Sequence, residues 1–387
     1  MKKNMVIIHG GAPTAVINAS LYGAVQEAKR HNELGHIYAA RNGTGGLLRD
    51  DLIELEDIPE NMMQLLLHTP GSAIGTSRDQ LGPDEYSQMA EILDRRNIRY
   101  VLMNGGNGTM DACGKLYQVC RSKGMDVRVM GIPKTIDNDI AVTDHSPGYG
   151  SAARYIAQSV QAICADVKGL SIHVSVVEAS GRNAGWIAAA SALASDYGNL
   201  GPDFIYLPER PFDEQQFLEN IQNLLLKKKG IVVVASEGLK NREGNPIVPP
   251  IFKVGRATYY GDVGSYLANS IIKNLGYKAR TEKPGILGRA SICMQSSIDR
   301  DEAVLAGELA CRAVMDGENG KMVAFRRIST DPYKIEPFLT EIEKVMLDER
   351  TMPDNFINSE GNGVTEEFKH WCRPLIGDPL PEMISFN

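Results

Sequence analysis

Short β-rich runs that end on glycine-rich or polar turns recur along this chain, with segments of helical spacing between them. The runs are Met5 to Ile8 before GGAPT, Ile37 to Ala40 before RNGTGG, Tyr100 to Met103 before NGGNGT, and Val127 to Ile132 before PKT. Val16 to Lys29 and Tyr86 to Arg96 carry apolar residues at helical intervals. Parallel strands need a crossover, and a helix is the usual one, so this alternation predicts a doubly wound α/β sheet. A second set follows: strands over Ile172 to Glu178, Phe204 to Leu207 and Ile231 to Ala235, and helices over Tyr155 to Asp166, Ala184 to Ala194 and Glu214 to Lys228.

With 387 residues the chain is long enough for two cores of ordinary size. The fold class expected is therefore α/β, with two similar doubly wound domains. One spans 1–147 plus about 290–335; the other spans 148–289 plus about 336–387, whose last stretch carries no legible motif. No low-complexity linker separates them, so a cleft between the domains is the expected ligand site.

Composition narrows the class of function. Hydrophobic residues make up 43% and charged residues 23%, values of a folded globular protein. The net charge of −7 argues against general affinity for nucleic acid or anionic membrane, so an anionic ligand must be met by a local basic pocket. Cys113, Cys120, Cys164, Cys293, Cys311 and Cys372 form no CxxC pair and are read as small buried residues of a reducing compartment. The run in MKKNMVIIHGG passes straight into a glycine turn, unlike a signal peptide. No segment approaches the ~20 apolar residues of a membrane span. A cytoplasmic location is the expectation.

The densest cluster of chemistry is PKTIDNDI, Pro133 to Ile140. It follows a buried run, so its side chains are expected at the carboxyl edge of a sheet, where open α/β folds bind ligands. Asp137 is a candidate base, Asp139 a candidate metal ligand or loop anchor, Thr135 brings a hydroxyl, and Lys134 can neutralise a moving phosphoryl group. Asp, Asn and Thr are equally ordinary turn and cap residues, and the octapeptide alone leaves both readings open. Gly10 and Gly11 stand between a strand and a helix, as do the glycines of NGGNGT, Asn104 to Thr109. Such loops bring backbone N–H groups to an anion, although a turn with positive φ also selects glycine. Neither is a GxxxxGK[ST] loop or a full GxGxxG fingerprint, which disfavours a Rossmann dehydrogenase. Arg78, Arg182, Arg280 and Arg289 each sit beside a turn or glycine signal; singly they read as surface charges, together as a clamp for phosphate. Glu237 ends an apolar run and suits sugar hydroxyls or plain exposure.

Taken together, GGAPTAVIN, GTSR, GGNGT, PKTIDNDI, PGYGSAA, EASGRNAGW, SEG and LGRAS with DRDEA resemble, in order, the phosphofructokinase family from about Met5 to about residue 330. The resemblance implies transfer of a phosphoryl group to the 1-hydroxyl of fructose 6-phosphate with Mg2+, in a homo-oligomer, dimer or tetramer, with shared active sites. It makes the first domain donor-binding and the second sugar-phosphate-binding. Asp137 matches the base, with Thr135 and Asp139 as companions. Arg182 matches the stabiliser of the transferring group, with Ser180 and Gly181 lining the sugar. Glu237 and Arg289 match sugar-binding positions, and Arg280 a 6-phosphate ligand reached from a neighbouring subunit. Gly11, Arg78, Gly108 and Thr109 match donor-phosphate positions.

The donor motifs conflict. In the family that the chain resembles, a glycine at the position of Gly108 leaves room for the α-phosphate of ATP and a second aspartate there goes with pyrophosphate, whereas Lys134, TAVINAS and GRNAGW look like the pyrophosphate branch. The expectation is ATP, with pyrophosphate as the alternative. Three positions depart from the family: Asn107 replaces an aspartate associated with magnesium, His173 an arginine on the 6-phosphate, and Ile286 a histidine or tyrosine facing it. Magnesium would then rest on Asp137, Asp139 and the donor phosphates. Isoleucine donates no hydrogen bond, so either other donors replace the lost ones, or the acceptor is a C6-modified fructose such as a sulfonate. A weak nucleotide or sugar-phosphate sensor is the remaining alternative.

Overall fold

The computed structural model describes residues 2–386 apart from 171–172, 199, 255–256 and 347. Met1, Ile172 and Asn387, where expected spans begin or end, lie outside the described residues. The chain divides into two compact units: unit 1 comprises 1–151 and 289–350, and unit 2 comprises 152–288 and 351–387.

Unit 1 opens with β1 (Lys3–His9), β2 (Leu34–Ala40), β3 (Leu52–Glu54), β4 (Ile98–Gly105) and β5 (Arg128–Pro133). Helices α1 (Ile17–Ala28), α2 (Pro83–Arg95) and α3 (Asn107–Ser122) lie between them. Helix α4 (Tyr149–Gly169) leads into unit 2, with β6 (Val174–Ala179), β7 (Phe204–Tyr206), α5 (Glu214–Leu225), β8 (Ile231–Ser236), β9 (Pro250–Val254), β10 (Ala257–Tyr260), α6 (Val263–Leu275) and β11 (Ala279–Glu282). The chain re-enters unit 1 with α7 (Ser297–Asp316), β12 (Lys321–Thr330) and β13 (Tyr333–Glu341).

The sheet of unit 1 runs β13-β12-β5-β4-β1-β2-β3. Its centre, from β12 to β2, is parallel. Along β1, Val6 and Ile8 enter one apolar cluster and Met5 and Ile7 the other. Both faces are thus covered, as parallel sheets require. The edges depart from the parallel expectation: β3 pairs antiparallel to β2, and β13 antiparallel to β12. The β12–β13 hairpin also corrects the domain boundary. Residues 336–350, expected in the second domain, stay in unit 1 because β13 is zipped to β12 from Tyr333 to Glu341.

Unit 2 has the smaller parallel sheet β11-β6-β8-β7 and a separate antiparallel pair, β9 and β10. Its tail is held by an aromatic cluster in which Trp186 meets Phe356, Phe368 and Trp371 at centroid distances of 6.1, 6.4 and 5.0 Å. Burial of such rings is worth roughly 1.5–3 kcal/mol each.

Helix starts differ from expectation where a distant residue supplies the cap. The helix expected from Tyr155 begins at Tyr149, because the Asp299 carboxylate accepts from Gly148 N–H at 2.7 Å and from Ser151 N–H at 2.9 Å. The span Ala184 to Ala194 splits into a short α-helix, Trp186–Ala190, and a 3-10 turn, Ser191–Asp196. Glu209 accepts the Gly185 N–H at 2.9 Å and fixes where that short helix starts. One cysteine expectation fails: Cys293 is exposed, whereas the other five are buried. No helix among the described residues is long and apolar enough to cross a membrane.

Candidate active site

In unit 1, loops leaving the carboxyl ends of β1, β4 and β5 are tied to one another and to the 75–79 loop. Gly10 N–H donates to Asn104 O at 2.9 Å and Gly11 N–H to Ser77 O at 2.8 Å. Lys134 N–H donates to Gly105 O at 3.0 Å, and the Thr76 hydroxyl to Gly11 O at 2.7 Å. A Cβ on Gly10 or Gly105 would stand 2.3 or 2.1 Å from Thr109 Oγ1, so packing alone demands glycine there. Gly11 adopts φ +76°, a backbone that also selects glycine. Gly108 is different: a Cβ there would meet nothing within 4 Å. Its small size is not dictated by the protein around it.

Lys134 is 2% exposed and donates to Gly10 O at 3.0 Å and Ala12 O at 2.5 Å, leaving one ammonium N–H for a ligand. Burial pulls its pKa down to about 7, aided by the charges of Arg78 and Arg289 and opposed by Asp137 and Asp139. Arg78, Lys134 and Arg289 thus form one electrostatic group in unit 1, and Arg289 Nε is buried with no hydrogen-bond partner. The charge of Arg289 acting on Lys134 is a feature beyond the sugar-binding role expected for it.

The two carboxylates flank Asn138, whose φ of 53° is left-handed, a conformation asparagine tolerates better than most residues. Asn138 Oδ1 accepts the Ser146 N–H at 3.0 Å, and Asp137 N–H donates to Thr135 Oγ1 at 3.1 Å. Thr135 N–H in turn donates to Pro147 O at 3.1 Å. Burial raises the Asp139 pKa, with nearby Glu349 adding to the rise and hydrogen bonds from Thr135 and Asn107 opposing it. Asn107 Nδ2 donates to Asp139 O at 3.2 Å. Asp139 Oδ1 and Asn107 Oδ1 are both buried with no protein partner. Two such oxygens are the donor type that a hard divalent cation takes, so the residues present fit magnesium even with asparagine at 107.

His9 was not among the expected site residues. It is fully buried, and burial together with Lys134 pulls its pKa down to about 3. Its Nδ1 lies 2.7 Å from Ser72 Oγ, whose proton goes to Gly75 O at 2.8 Å. Nδ1 therefore donates, the ring is neutral, and Nε2 is a buried acceptor with no partner. A histidine directly before GG was the available signal.

In unit 2, the loops after β6 and β8 meet. Gly181, at φ +119°, donates its N–H to Glu237 Oε1 at 3.3 Å, and the Ser236 hydroxyl donates to Gly181 O at 2.5 Å. A Cβ on Gly238 would fall 1.7 Å from Arg182 O, so the SEG and SGR segments interlock. Ser180, Gly181, Arg182 and Glu237 are thereby brought together. His173 and Arg280 are not. His173 precedes β6, and Arg280 pairs with Ser175 near that same end, whereas Ser180 follows β6. Seven residue steps of extended chain separate His173 from Ser180 by roughly 20 Å. His173 Nδ1 accepts the Lys278 N–H at 3.2 Å, and its ring meets Tyr277 edge-on at a centroid distance of 5.3 Å. Ile286 is 69% exposed beside the exposed Leu287.

The phosphofructokinase family pattern matches residues 4–315. A pyrophosphate–fructose 6-phosphate 1-phosphotransferase of Xanthomonas campestris is 36% identical, covering 99% of this chain and 96% of that one. A sulfofructose kinase of Alkalicoccus urumqiensis is 32% identical, covering 97% of this chain and 96% of its own. The crystal structure of a pyrophosphate-dependent phosphofructokinase from Nitrosospira multiformis superposes with a TM-score of 0.90 at 34% identity, covering 98% of this chain and 93% of that one. The chain belongs to the phosphofructokinase family. It is a phosphotransferase acting on a hydroxyl group.

Proposed function

We propose that this protein transfers a phosphoryl group from pyrophosphate to the 1-hydroxyl of fructose 6-phosphate. The O1 proton passes to Asp137, the O1–P bond forms, the P–O–P bridge breaks, and orthophosphate leaves. This replaces the expectation of ATP. The observation that carries it is the cluster of Arg78, buried Lys134 and Arg289, with unused donors on Lys134 and Arg289. Pyrophosphate is small and highly charged, and concentrated cationic donors are what hold such an anion. The full-length likenesses to pyrophosphate-dependent proteins support the same choice, and Gly108 is the feature that speaks for ATP.

The remaining roles follow the family resemblance. Thr135 holds the Asp137 backbone, Gly11, Arg78, Asn107, Gly108 and Thr109 contact the donor, and Lys134 neutralises its charge. Arg182 stabilises the transferring group, with Ser180, Gly181, Glu237 and Arg289 on the sugar. Asp139, Asp137 and the Asn107 amide oxygen would hold magnesium, which would supply positive charge to offset that of the donor phosphates. His173 and Arg280 serve the site of a second copy in a homo-oligomer, a reading supported by their distance along β6 from Ser180.

A second reading keeps the reaction and changes the acceptor to a C6-sulfonated fructose. Ile286, apolar and exposed where a hydrogen-bond donor was expected, favours it, as does the sulfofructose kinase likeness. A coupled assay with magnesium, crossing pyrophosphate and ATP with fructose 6-phosphate and its C6 sulfonate, decides both questions. Turnover with pyrophosphate and fructose 6-phosphate is expected. Turnover with ATP while pyrophosphate is inert would overturn the donor assignment, and preference for the sulfonate would replace the acceptor.

A further inference from the structure

Behind the Asp137–Asp139 loop lies a buried cluster of charges that the proposed chemistry does not use. His145, 2% exposed, is held on both ring nitrogens: Nδ1 is 2.8 Å from Asp144 Oδ2 and Nε2 is 2.5 Å from Glu302 Oε2. Two carboxylates on opposite edges of one ring require both nitrogens to donate, which is the imidazolium form. Groups from neighbouring elements surround this pair among the described residues. From β12, Phe325 stacks on it at 5.6 Å and Arg327 reaches Asp144 at 3.0 Å. From β13, the Tyr333 hydroxyl donates to Glu302 Oε1 at 2.6 Å. Arg350 binds the carbonyls of Thr143 and Asp144. Asp299, one turn before Glu302 on α7, feels Glu302 and caps α4.

This cluster is connected to the reacting loop through backbone. Residue 146, next to His145, supplies the N–H that holds Asn138 Oδ1. Asn138 is the left-handed residue between Asp137 and Asp139. Segment 143–145 is also pinned to β12, since Asp144 N–H donates to Phe325 O at 2.8 Å and Phe325 N–H to Thr143 Oγ1 at 3.0 Å.

We infer that His145, clamped as a cation between Asp144 and Glu302, is a positioning residue that fixes the Asp137–Asn138–Asp139 turn through Ser146. The inference rests on the reading that this turn carries the transfer. Burial alone would lower the histidine's pKa, but Glu302 and Asp144 outweigh it and raise it to about 9. The imidazolium is therefore present at neutral pH and is lost as pH rises through about 9. Without it, two buried carboxylates face each other across a neutral ring, and the turn loses its backing.

The test uses the full-length protein and His145→Gln, with Glu302→Gln as the milder variant that keeps shape. In His145→Gln, kcat is expected to fall about tenfold to a hundredfold, as misplacement of a reacting group does, with the KM of donor and acceptor unchanged. Wild-type kcat should decline above pH about 9; Glu302→Gln should move that decline to lower pH, and His145→Gln should abolish it. Hydrogen exchange supplies a readout that needs no turnover: amides of 134–146 should exchange faster in His145→Gln while those of α7 keep their protection. Unchanged exchange in 134–146, or an alkaline limb at the same pH in all three proteins, would overturn the inference. If wild type turns over no donor–acceptor pair while the loop still loosens, the functional reading falls and the positioning role stands.

Discussion

The loops after β1, β4 and β5 in unit 1 and the 280–287 surface of unit 2 are built on different physical terms. Lys134 and Thr135 are 2% and 9% exposed and tied by backbone hydrogen bonds to two other loops. Ile286, Leu287, Arg280 and Thr281 lie at the surface of unit 2. Unit 1 offsets part of the cost of burying charge by aiming Lys134 at the Gly10 and Ala12 carbonyls, with Asp137 and Asp139 near it, so its geometry is over-determined before any ligand arrives. The exposed face of unit 2 carries few such constraints. A substitution on that exposed face is therefore cheap for this scaffold, whereas one in the loops after β1, β4 and β5 disturbs many contacts at once.

The contrast breaks first, if it is to break, at Asp137. Asp137→Asn should lower kcat by about 10³-fold, within the range for loss of a general base, while the melting temperature stays within a few degrees. A loss of less than tenfold would show that another group takes the proton. Lys134 should come next. Because its pKa lies near 7 in the free protein, the charged form that binds donor is present below that pH and lost above it. The donor KM should then rise by up to about tenfold per pH unit on the alkaline side, following proton linkage. Lys134→Gln should remove this slope and lower donor kcat/KM by about ten- to a hundredfold, for one charged hydrogen bond. The smallest effect is expected at Ile286. Ile286→Ser should leave stability within about 0.5 kcal/mol, as surface changes do, and shift only the acceptor KM by a few-fold.

Much of the loop cluster of unit 1 was legible because its signals are local. A glycine forced by a close approach, a lysine after a strand and two aspartates around an asparagine all fall within short windows. The two-unit α/β character was legible for the same reason, since strand–loop–helix order is a sequential pattern. The clamp on His145 was not, because its partner Glu302 is 157 residues away and glutamate on a helix carries no mark of burial. The early start of α4 was invisible for a like cause, its cap Asp299 lying 151 residues from Gly148. The β12–β13 hairpin is not legible in KMVAFRRIST and YKIEPFLTE, which alternate loosely, and pairing to the distant β5 gives β12 its place in the sheet.

The interrupted path of unit 1 sets an order of events during synthesis. The parallel sheet of unit 2 is encoded without interruption between Val174 and Glu282, so its strands are all available while the ribosome is still reading the rest. The strands of unit 1 wait for β12, and the loop bearing Asp137 waits for Glu302 and Phe325, which emerge more than 150 residues later. A nascent chain stalled before α7 would thus present PKTIDNDI without its backing, and contacts closing over such a span are slow to form. Backing of the PKTIDNDI loop is thus acquired only once β12 has left the ribosome.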